Sequence, residues 1–370
     1  MAGIYVHIPF CKKKCFYCDF YSTINLQLID KYVDTLISEI KLKKYNLTVF
    51  AVSTVYFGGG TPTLLSINQL DKILTTIKET FRFTEKQEFT IECNPDDLDK
   101  DYLLGLKKIG FNRLSIGVQS LDDGMLSFLN RRHNSEQAIN SVLWAKEVGF
   151  ENISVDFIYG IAGQTEQQLE NELNTLLSLP ITHFSAYCLE LENKSVLNKL
   201  RELNKFSELE DYIVYRHYLK VLKCAKSYNF SHYEISNYAK KGFESKHNKN
   251  YWSFKAYLGL GPSAHSYYGK KRCWNAPTLD KYFKQIEIEE NFYDCELLTI
   301  KDSYNEFLML SLRMKSGISK KILSYFPYKE KTISILRKMN KKYLKETQRN
   351  FYFTDEGMFT SDYFVSALFV

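Results

Sequence analysis

Residues 4–20 read Ile4-Tyr5-Val6-His7-Ile8-Pro9-Phe10-Cys11-Lys12-Lys13-Lys14-Cys15-Phe16-Tyr17-Cys18-Asp19-Phe20, a strand-like run followed by a loop with three cysteines. The C-x3-C-x2-C spacing has no fourth cysteine nearby. A cubane iron–sulfur cluster has four irons and is normally held by four thiolates. Three thiolates leave one iron open, and an open metal position is where chemistry occurs, as in catalytic zinc sites. The stretch therefore favours a cluster with one reactive corner.

Two other interpretations of the same cysteines remain open at this point. They could be three incidental core residues, or three ligands of a structural zinc ion. A structural zinc would need a fourth Cys or His, usually from a second pair. The sequence contains no second C-x2-C and no H-x3-H, so the cluster interpretation is preferred.

Composition places the chain among ordinary globular proteins. Its 370 residues suit one barrel-sized domain plus a smaller one, and 45% of them are hydrophobic. The net charge of +6 is too small to argue for nucleic acid as a partner. No apolar run approaches the length of a membrane span, and no basic region precedes the first strand-like run. We therefore expect a cytoplasmic protein.

A cytoplasmic location predicts that all eight cysteines are reduced. Five of them lie outside the first loop and are scattered along the chain. Their default role is that of small buried apolar residues. They are Cys93, Cys188, Cys224, Cys273 and Cys295.

Short apolar runs alternate with longer amphipathic stretches over the first 230 residues. Strand–helix alternation implies parallel strands joined by right-handed crossovers. Six units are too few to close a full barrel, so the pattern predicts an α/β fold with an open (β/α)6 barrel, and a full barrel is the second choice. The predicted strands are 4–8, 54–57, 88–92, 113–118, 153–158 and 183–189, and the predicted helices are 28–42, 67–81, 100–109, 136–148 and 166–177.

Polar and glycine-rich motifs follow these predicted strands. In α/β barrels the loops after the strands build the active site. We therefore expect the cysteine loop and these motifs to gather at one end of the barrel. The motifs are Gly58-Gly59-Gly60-Thr61-Pro62, residues 92–95, Gln119-Ser120 and residues 156–160.

The rest of the chain predicts two further regions. Residues 1–230 form the barrel, 231–295 a junction of mixed aromatic and polar residues, and 296–370 a small α+β module. Helical patterns over 304–312 and 333–344, followed by a hairpin at 350–357, suggest a winged-helix-like module. Residues 315–349 carry eleven Lys or Arg against two Glu. This stretch is either a solvated charged face or a docking patch for an acidic protein or an anionic membrane surface.

The combination of motifs resembles the radical S-adenosylmethionine (SAM) superfamily, and within it the branch of the oxygen-independent coproporphyrinogen dehydrogenases. The resemblance extends along nearly the whole chain. It rests on the cysteine loop with the preceding Tyr-x-His-Ile-Pro-Phe, Phe57 with the glycine-rich run to Pro62, Ile116-Gly117-Val118-Gln119-Ser120, and Asp156-Phe157-Ile158-Tyr159-Gly160.

This resemblance implies a 4Fe-4S cluster on Cys11, Cys15 and Cys18, whose open iron would be chelated by SAM. Tyr5 and Tyr17 would flank the cluster and SAM. Further SAM contacts are implied at Gly59, Gly60, Thr61, Glu92, Gln119, Arg131 and Asp156. Glycines allow SAM to approach the backbone, carboxylates suit ribose hydroxyls and the ammonium group, and an arginine suits a carboxylate.

Two features distinguish the functions within this branch. The dehydrogenases carry a further cysteine two residues after the third ligand, where this sequence has Phe20, and a long N-terminal extension, where it has ten residues before Cys11. Both features resemble the haem-chaperone group of the branch instead. That group is expected to deliver haem to respiratory haemoproteins, with dimerisation as a further possibility. The alternative is oxygen-independent coproporphyrinogen III dehydrogenase, and the resemblance leaves open whether SAM is cleaved.

The motif His247-Asn248-Lys249-Asn250-Tyr251-Trp252 also resembles the haem-chaperone group. It makes His247 a candidate haem contact, because a neutral imidazole is a good axial ligand for haem iron. The alternative is a structural role at the junction. His265 is a second candidate. We expect His7 to order the cluster loop, and assign ordinary roles to His133, His183, His217 and His232.

Overall fold

The computed structural model describes residues 1–289 and 293–370. Six parallel strands form its centre and pair in chain order, each with the next. Every predicted strand is present, so the partial-barrel prediction is confirmed. The strands are β1 Ala2–Ile8, β2 Val52–Gly59, β3 Phe83–Cys93, β4 Arg113–Gln119, β5 Asn152–Tyr159 and β6 His183–Cys188.

The five predicted helices of the barrel begin and end close to the predicted residues, and three further helices were not predicted. In the first of them, Tyr32, Leu36 and Ile40 recur at helical spacing and are fully buried, so this face packs on the sheet. Capping boxes start three others, where the N-cap side chain and the glutamine three residues on satisfy each other's backbone groups. The eight helices of this part are α1 Ile29–Leu42, α2 Ile67–Thr80, α3 Lys100–Ile109, α4 Asp123–Phe128, α5 Ser135–Glu147, α6 Glu166–Ser178, α7 Val196–Glu202 and α8 Asp211–Ser227.

The junction extends the sheet at both edges, which the sequence pattern did not predict. One edge gains an antiparallel pair beside β6, and the other gains a strand that pairs parallel to β1 and three antiparallel strands beyond it. Within the described residues the sheet has twelve strands. The added elements are β7 Ser231–Glu234, β8 Asn237–Ala239, α9 Lys246–Trp252, β9 Ala256–Leu260, β10 His265–Tyr268, β11 Lys271–Asn275, α10 Leu279–Glu287 and β12 Tyr293–Leu297.

The C-terminal module is a small α+β unit with a three-stranded sheet and a hydrophobic core of its own. Two predictions need correction here. The helix expected over 333–344 ends at Lys338, and the hairpin lies at 344–353 because Thr354 caps a new helix through the Gly357 N–H. The elements are α11 Ile300–Arg313, β13 Ile318–Ser319, α12 Lys320–Leu323, α13 Lys329–Lys338, β14 Leu344–Glu346, β15 Asn350–Phe353, α14 Asp355–Phe359 and α15 Ser361–Ser366.

The prediction that every cysteine is a free thiol is wrong for one pair. Cys273 on β11 lies directly opposite Cys295 on β12, with their Cα atoms 4.1 Å apart, and the two form a disulfide. Antiparallel neighbours at this spacing bring their side chains within bonding range. The other six cysteines are free. The sequence could not reveal the pair because it did not reveal the two strands.

In the part of the chain that the structure describes, no helix combines the length and the apolarity that crossing a lipid bilayer requires.

Candidate functional site

A cavity of about 600 Å³ opens at the carboxyl ends of the barrel strands. It is lined by every residue predicted to bind the cluster or SAM except Tyr5, which lies on β1 outside the lining. The prediction that the motifs gather at one end of the barrel is thereby confirmed. Lys13, Lys14, Glu190 and Glu192 add charged groups to the lining, and Phe20, which also lines the cavity, is 66% exposed.

The cysteine loop is held at the end of β1 by backbone hydrogen bonds. The Cys11 N–H donates to the Thr23 carbonyl at 3.0 Å, and the Thr23 N–H donates to the Pro9 carbonyl at 2.7 Å. The Thr61 N–H donates to the Phe10 carbonyl at 2.7 Å, which joins the loop to the glycine-rich run after β2. These bonds fix where the first cysteine enters the cavity.

The three thiols fit a cluster site in their chemistry. All three are free and half-buried, and two of them accept hydrogen bonds: Cys11 Sγ from Thr61 Oγ1 at 3.6 Å and Cys15 Sγ from Arg131 Nη1 at 3.3 Å. Burial raises the pKa of Cys11, and raises that of Cys18 to about 11. Buried thiols of this kind ionise when a cation binds them.

Among the described residues, no three His, Cys, Asp or Glu side chains converge closely enough to hold a single metal ion. A cubane places its irons at different corners, so each of three thiolates binds a different iron. A cluster therefore does not require the three cysteine sulfurs to meet at one point.

Glu92 is fixed on one wall of the cavity. Its carboxylate accepts hydrogen bonds from the Tyr56 hydroxyl at 2.8 Å and from the Gly59 N–H at 3.1 Å. Burial raises the pKa of Glu92 to about 7, and the hydrogen bonds from Tyr56 and Gly59 and the positive charge of Arg113 offset part of that rise. A carboxylate poised in this range can accept hydrogen bonds from a cation or a diol near neutral pH.

The glycine-rich run is constrained by the protein itself as well as by the expected ligand. Gly59 has a φ of +109°, and a Cβ there would lie 2.4 Å from His7 Nδ1. A Cβ on Gly60 would lie 2.6 Å from the Phe10 carbonyl oxygen. Glycine is therefore needed for the run to pack against the cysteine loop.

Gln119 and Asp156 occupy neighbouring strands on another wall. Gln119 has a φ of +66°, at a point where the β4–β5 register shifts, and such bulges redirect side chains at the ends of strands. Asp156 accepts a hydrogen bond from Ser115 Oγ at 3.3 Å. Burial raises the pKa of the Asp156 carboxyl, and contacts with Ser185, Arg113 and Ser115 oppose the rise.

Arg131 joins the cysteine loop to the strand ends. Its guanidinium donates to the Gly117 carbonyl at 2.8 Å and to Cys15 Sγ, and it also bonds Asn94 Oδ1. The fork of donors on an arginine suits several acceptors at once. Arg131 therefore brings positive charge to the point where the thiolates and an anionic ligand group would meet.

Tyr5 and His7 lie beneath the cluster loop. His7 Nε2 donates to the Tyr21 carbonyl at 3.0 Å, so Nδ1 is the acceptor and receives the Tyr5 hydroxyl at 3.0 Å. The prediction that His7 orders the loop is confirmed. Tyr5 thus contacts the loop through a histidine.

His247 lies apart from the cavity. Its ring is 2% exposed, with Nδ1 bonded to the Thr54 hydroxyl at 2.8 Å and Nε2 to the Tyr251 hydroxyl at 3.1 Å. It stacks on Tyr56 with ring centroids 5.1 Å apart. Ligation of iron by His247 would require one of these bonds to break. His265, by contrast, is exposed beside Trp274.

Two polar residues of the cavity region were missed in the sequence. Tyr56 holds Glu92, and the buried Arg113 lies close enough to offset the charges of Glu92 and Asp156. Asn94, which lies in the predicted motif 92–95, pairs with Arg131. A signal was available for the two missed residues. Tyr56 and Arg113 lie on strands, where alternate residues share a face. Each is an even number of residues before a glycine of its own strand, Gly58 or Gly117, and so lies on the same face as that glycine.

Three comparisons with known proteins bear on this arrangement. A sequence profile of the Radical SAM superfamily matches residues 5–176. The protein named Heme chaperone HemW from Bacillus subtilis is 38% identical, over 87% of this chain and 86% of the relative. The protein of the same name from Lactococcus lactis is 35% identical over 95% of this chain and 93% of its own length.

A solved structure also matches nearly the whole chain. Coproporphyrinogen III oxidase (HemN) from Escherichia coli, described as a radical SAM enzyme, superposes with a TM-score of 0.85 and 22% identity. The match covers 99% of this chain and 89% of that one. At this identity the likeness establishes the fold.

Proposed function

This chain belongs to the HemW family of the radical SAM superfamily, and from that premise we propose that it is a cytoplasmic haem chaperone that binds a 4Fe-4S cluster, SAM and haem and delivers haem to respiratory haemoproteins. One observation carries the cofactor part of the proposal. Three free cysteines share a single cavity with Glu92, Gln119, Arg131 and Asp156.

The chain's own residues have separable tasks in this proposal. Cys11, Cys15 and Cys18 would hold three irons, and Arg131 would balance the charge of the thiolates. Glu92 and Asp156 would accept hydrogen bonds from SAM, and the glycines would admit it to the backbone. When bound, a reduced cluster with an open iron would supply the electron needed if SAM is cleaved at its sulfonium.

The haem part rests on the names of the relatives and on the HNxxYW motif. His247 as a haem contact stays a prediction. Binding iron through this ring would break its hydrogen bond with Thr54 or with Tyr251. Dimerisation and contact of the basic residues 315–349 with a membrane or an acidic protein also stay predictions.

The rival function is oxygen-independent coproporphyrinogen III dehydrogenase, and a single preparation separates the two. The chain is reconstituted anaerobically with iron and sulfide, then divided between haem titration and an assay with coproporphyrinogen III, SAM and a reductant. We expect stoichiometric haem uptake and no protoporphyrinogen IX. Protoporphyrinogen IX formed at catalytic rates would overturn the chaperone proposal, and Cys15→Ser serves as the cluster-free control.

A further inference from the structure

A second cavity, of about 640 Å³, lies between the junction and the C-terminal module. Its volume falls within the roughly 300–1,000 Å³ of small-molecule sites. It shares no lining residue with the cavity that holds the cysteines. Its walls come from α9, β10, α11 and α12 and from the loops beside them.

The walls of this second cavity are rich in aromatic rings. Phe307 stacks on Phe326 with centroids 5.3 Å apart, and Phe254 lies 6.3 Å from Phe307 and edge-on to Tyr267 at 6.1 Å. Trp252, the last residue of the HNxxYW motif, also lines the cavity. Aromatic walls of this kind suit a flat, apolar molecule.

The rim of the cavity exposes further apolar surface. Ile300 is 61% exposed, Ile322 47% and Tyr325 75%, and all three line the opening. Contiguous exposed apolar residues around a cavity mark a binding site more often than isolated ones do. Lys270 adds a positive charge to the same lining, so the ligand should be apolar with an anionic edge.

We propose that this cavity is the haem site, an inference that rests on the proposed function and deepens it. Haem is a planar, apolar ring with two carboxylates at one edge, and its iron accepts His, Cys, Met or Tyr ligands. The lining offers Met314, Tyr267 and Tyr325 for the iron and Lys270 for a carboxylate. Tyr325 lies on the exposed rim and Tyr267 packs against Phe254, so the Met314 thioether is the remaining candidate ligand in the lining.

If haem binds in the second cavity, the HNxxYW motif has a structural role and His247 does not ligate the haem iron. The motif forms α9, whose first residues are held inside the barrel: the His247 N–H donates to the Glu88 carboxylate at 3.1 Å, and the ring stacks on Tyr56. Trp252 at the other end faces the second cavity. The helix thus lies between the two cavities, and haem is held apart from the cluster.

Anaerobic haem titration of the full chain, followed by its visible spectrum, tests the assignment with matched variants. Ser303→Trp fills the cavity from α11, and Met309→Trp adds the same bulk on an exposed position of that helix. Lys270→Glu reverses the charge in the lining, and Lys271→Glu does so one residue away. Met314→Leu removes the thioether, and Met309→Leu is its control. Circular dichroism and iron content verify that each variant folds.

We expect Ser303→Trp and Lys270→Glu each to weaken haem binding by about tenfold or more, and Met314→Leu to change the spectrum, while the controls match the wild type. Haem uptake by the wild type with unchanged affinity and spectrum in all three variants overturns this site and leaves the chaperone function standing. If His247→Gln loses haem binding while the three cavity variants keep it, haem binds at His247 and the proposed site is wrong. A wild type that takes up no haem overturns the chaperone function itself.

Discussion

At the scale of single residues, Glu92 makes the site sensitive to pH. Burial raises the pKa of Glu92 to about 7, so its carboxylate is mostly protonated at pH 6 and mostly ionised at pH 8. If the ionised form binds SAM, SAM affinity should rise by about tenfold between pH 6 and pH 8. Equilibrium binding of SAM to the cluster-loaded protein at several pH values measures this.

Variants identify the group responsible for that pH dependence. Glu92→Gln should bind SAM weakly at every pH, whereas Glu190→Gln, in the same cavity, should keep the wild-type profile. A pH step that persists in Glu92→Gln would show that another group titrates. If SAM affinity no longer changed with pH in Glu190→Gln, the role given to Glu92 would be contradicted.

The sequence predicted most of the cavity lining because each motif follows a strand directly. It could not show how the side chains are held. Arg131 is the clearest case: its contacts with Cys15 and Gly117 span 116 and 14 residues of sequence, and only the folded chain brings them together. His247 is another, because nothing in its local sequence shows that both ring nitrogens are engaged.

At the scale of elements, the turn after β2 must fit under the cysteine loop. Gly60→Ala would place a methyl group 2.6 Å from the Phe10 carbonyl oxygen. We expect a loss of about 1–3 kcal/mol in the free energy of unfolding, with a lower iron content after reconstitution. Urea unfolding and iron analysis provide the two measurements.

Gly242→Ala is the control for that substitution. Gly242 has a φ of +89° and open space around its Cβ position, so alanine there introduces backbone strain alone, about 1–2 kcal/mol. It should leave the iron content unchanged. Full cluster loading in Gly60→Ala would refute the tight fit between the turn and the loop.

A buried ion pair joins α1 to the junction. Lys43 Nζ lies 2.7 Å from Glu39 Oε1 and donates to the Gly259 carbonyl and to Asn275 Oδ1. Both side chains are almost completely buried, at 2% and 0% exposure. Lys43→Met would leave the buried Glu39 carboxylate without its cationic partner, although three hydrogen-bond donors still contact it, and should cost about 3–5 kcal/mol of unfolding free energy.

The chain offers an exposed pair as the control. Lys100 and Glu147 are 51% and 60% exposed, so Lys100→Met should change the unfolding free energy by less than about 1 kcal/mol. Chemical denaturation of both variants gives the comparison. Equal losses would mean that burial does not set the strength of the Lys43 pair.

The strands of the barrel were predictable, and those of the junction were not, for one physical reason. β1, β2, β4 and β5 are buried along nearly their whole length, and so is the second half of β3, so these stretches read as apolar runs. β12, at the sheet edge, has no buried residue among its five, so no period of burial appears in its sequence. The Cys273–Cys295 disulfide could not be predicted either, because it joins two of these unpredicted edge strands.

At the scale of the whole molecule, two cavities divide the proposed tasks. The cysteines and the expected SAM contacts lie at the end of the barrel, and the aromatic cavity lies against the C-terminal module. Sequence motifs located the first, because its residues follow strands. The second is assembled from residues 252–350, which carry no shared pattern, so only the packing of the module on the junction shows it.

Iron and sulfide analysis of the anaerobically reconstituted chain tests the central claim most directly. We predict about four irons and four sulfides per chain with the brown absorbance of a cubane cluster, and loss of both in Cys11→Ser, Cys15→Ser and Cys18→Ser. Cys224→Ser, a buried cysteine outside the cavity, should match the wild type. Wild-type iron and sulfide content in any of the three loop variants would contradict the account.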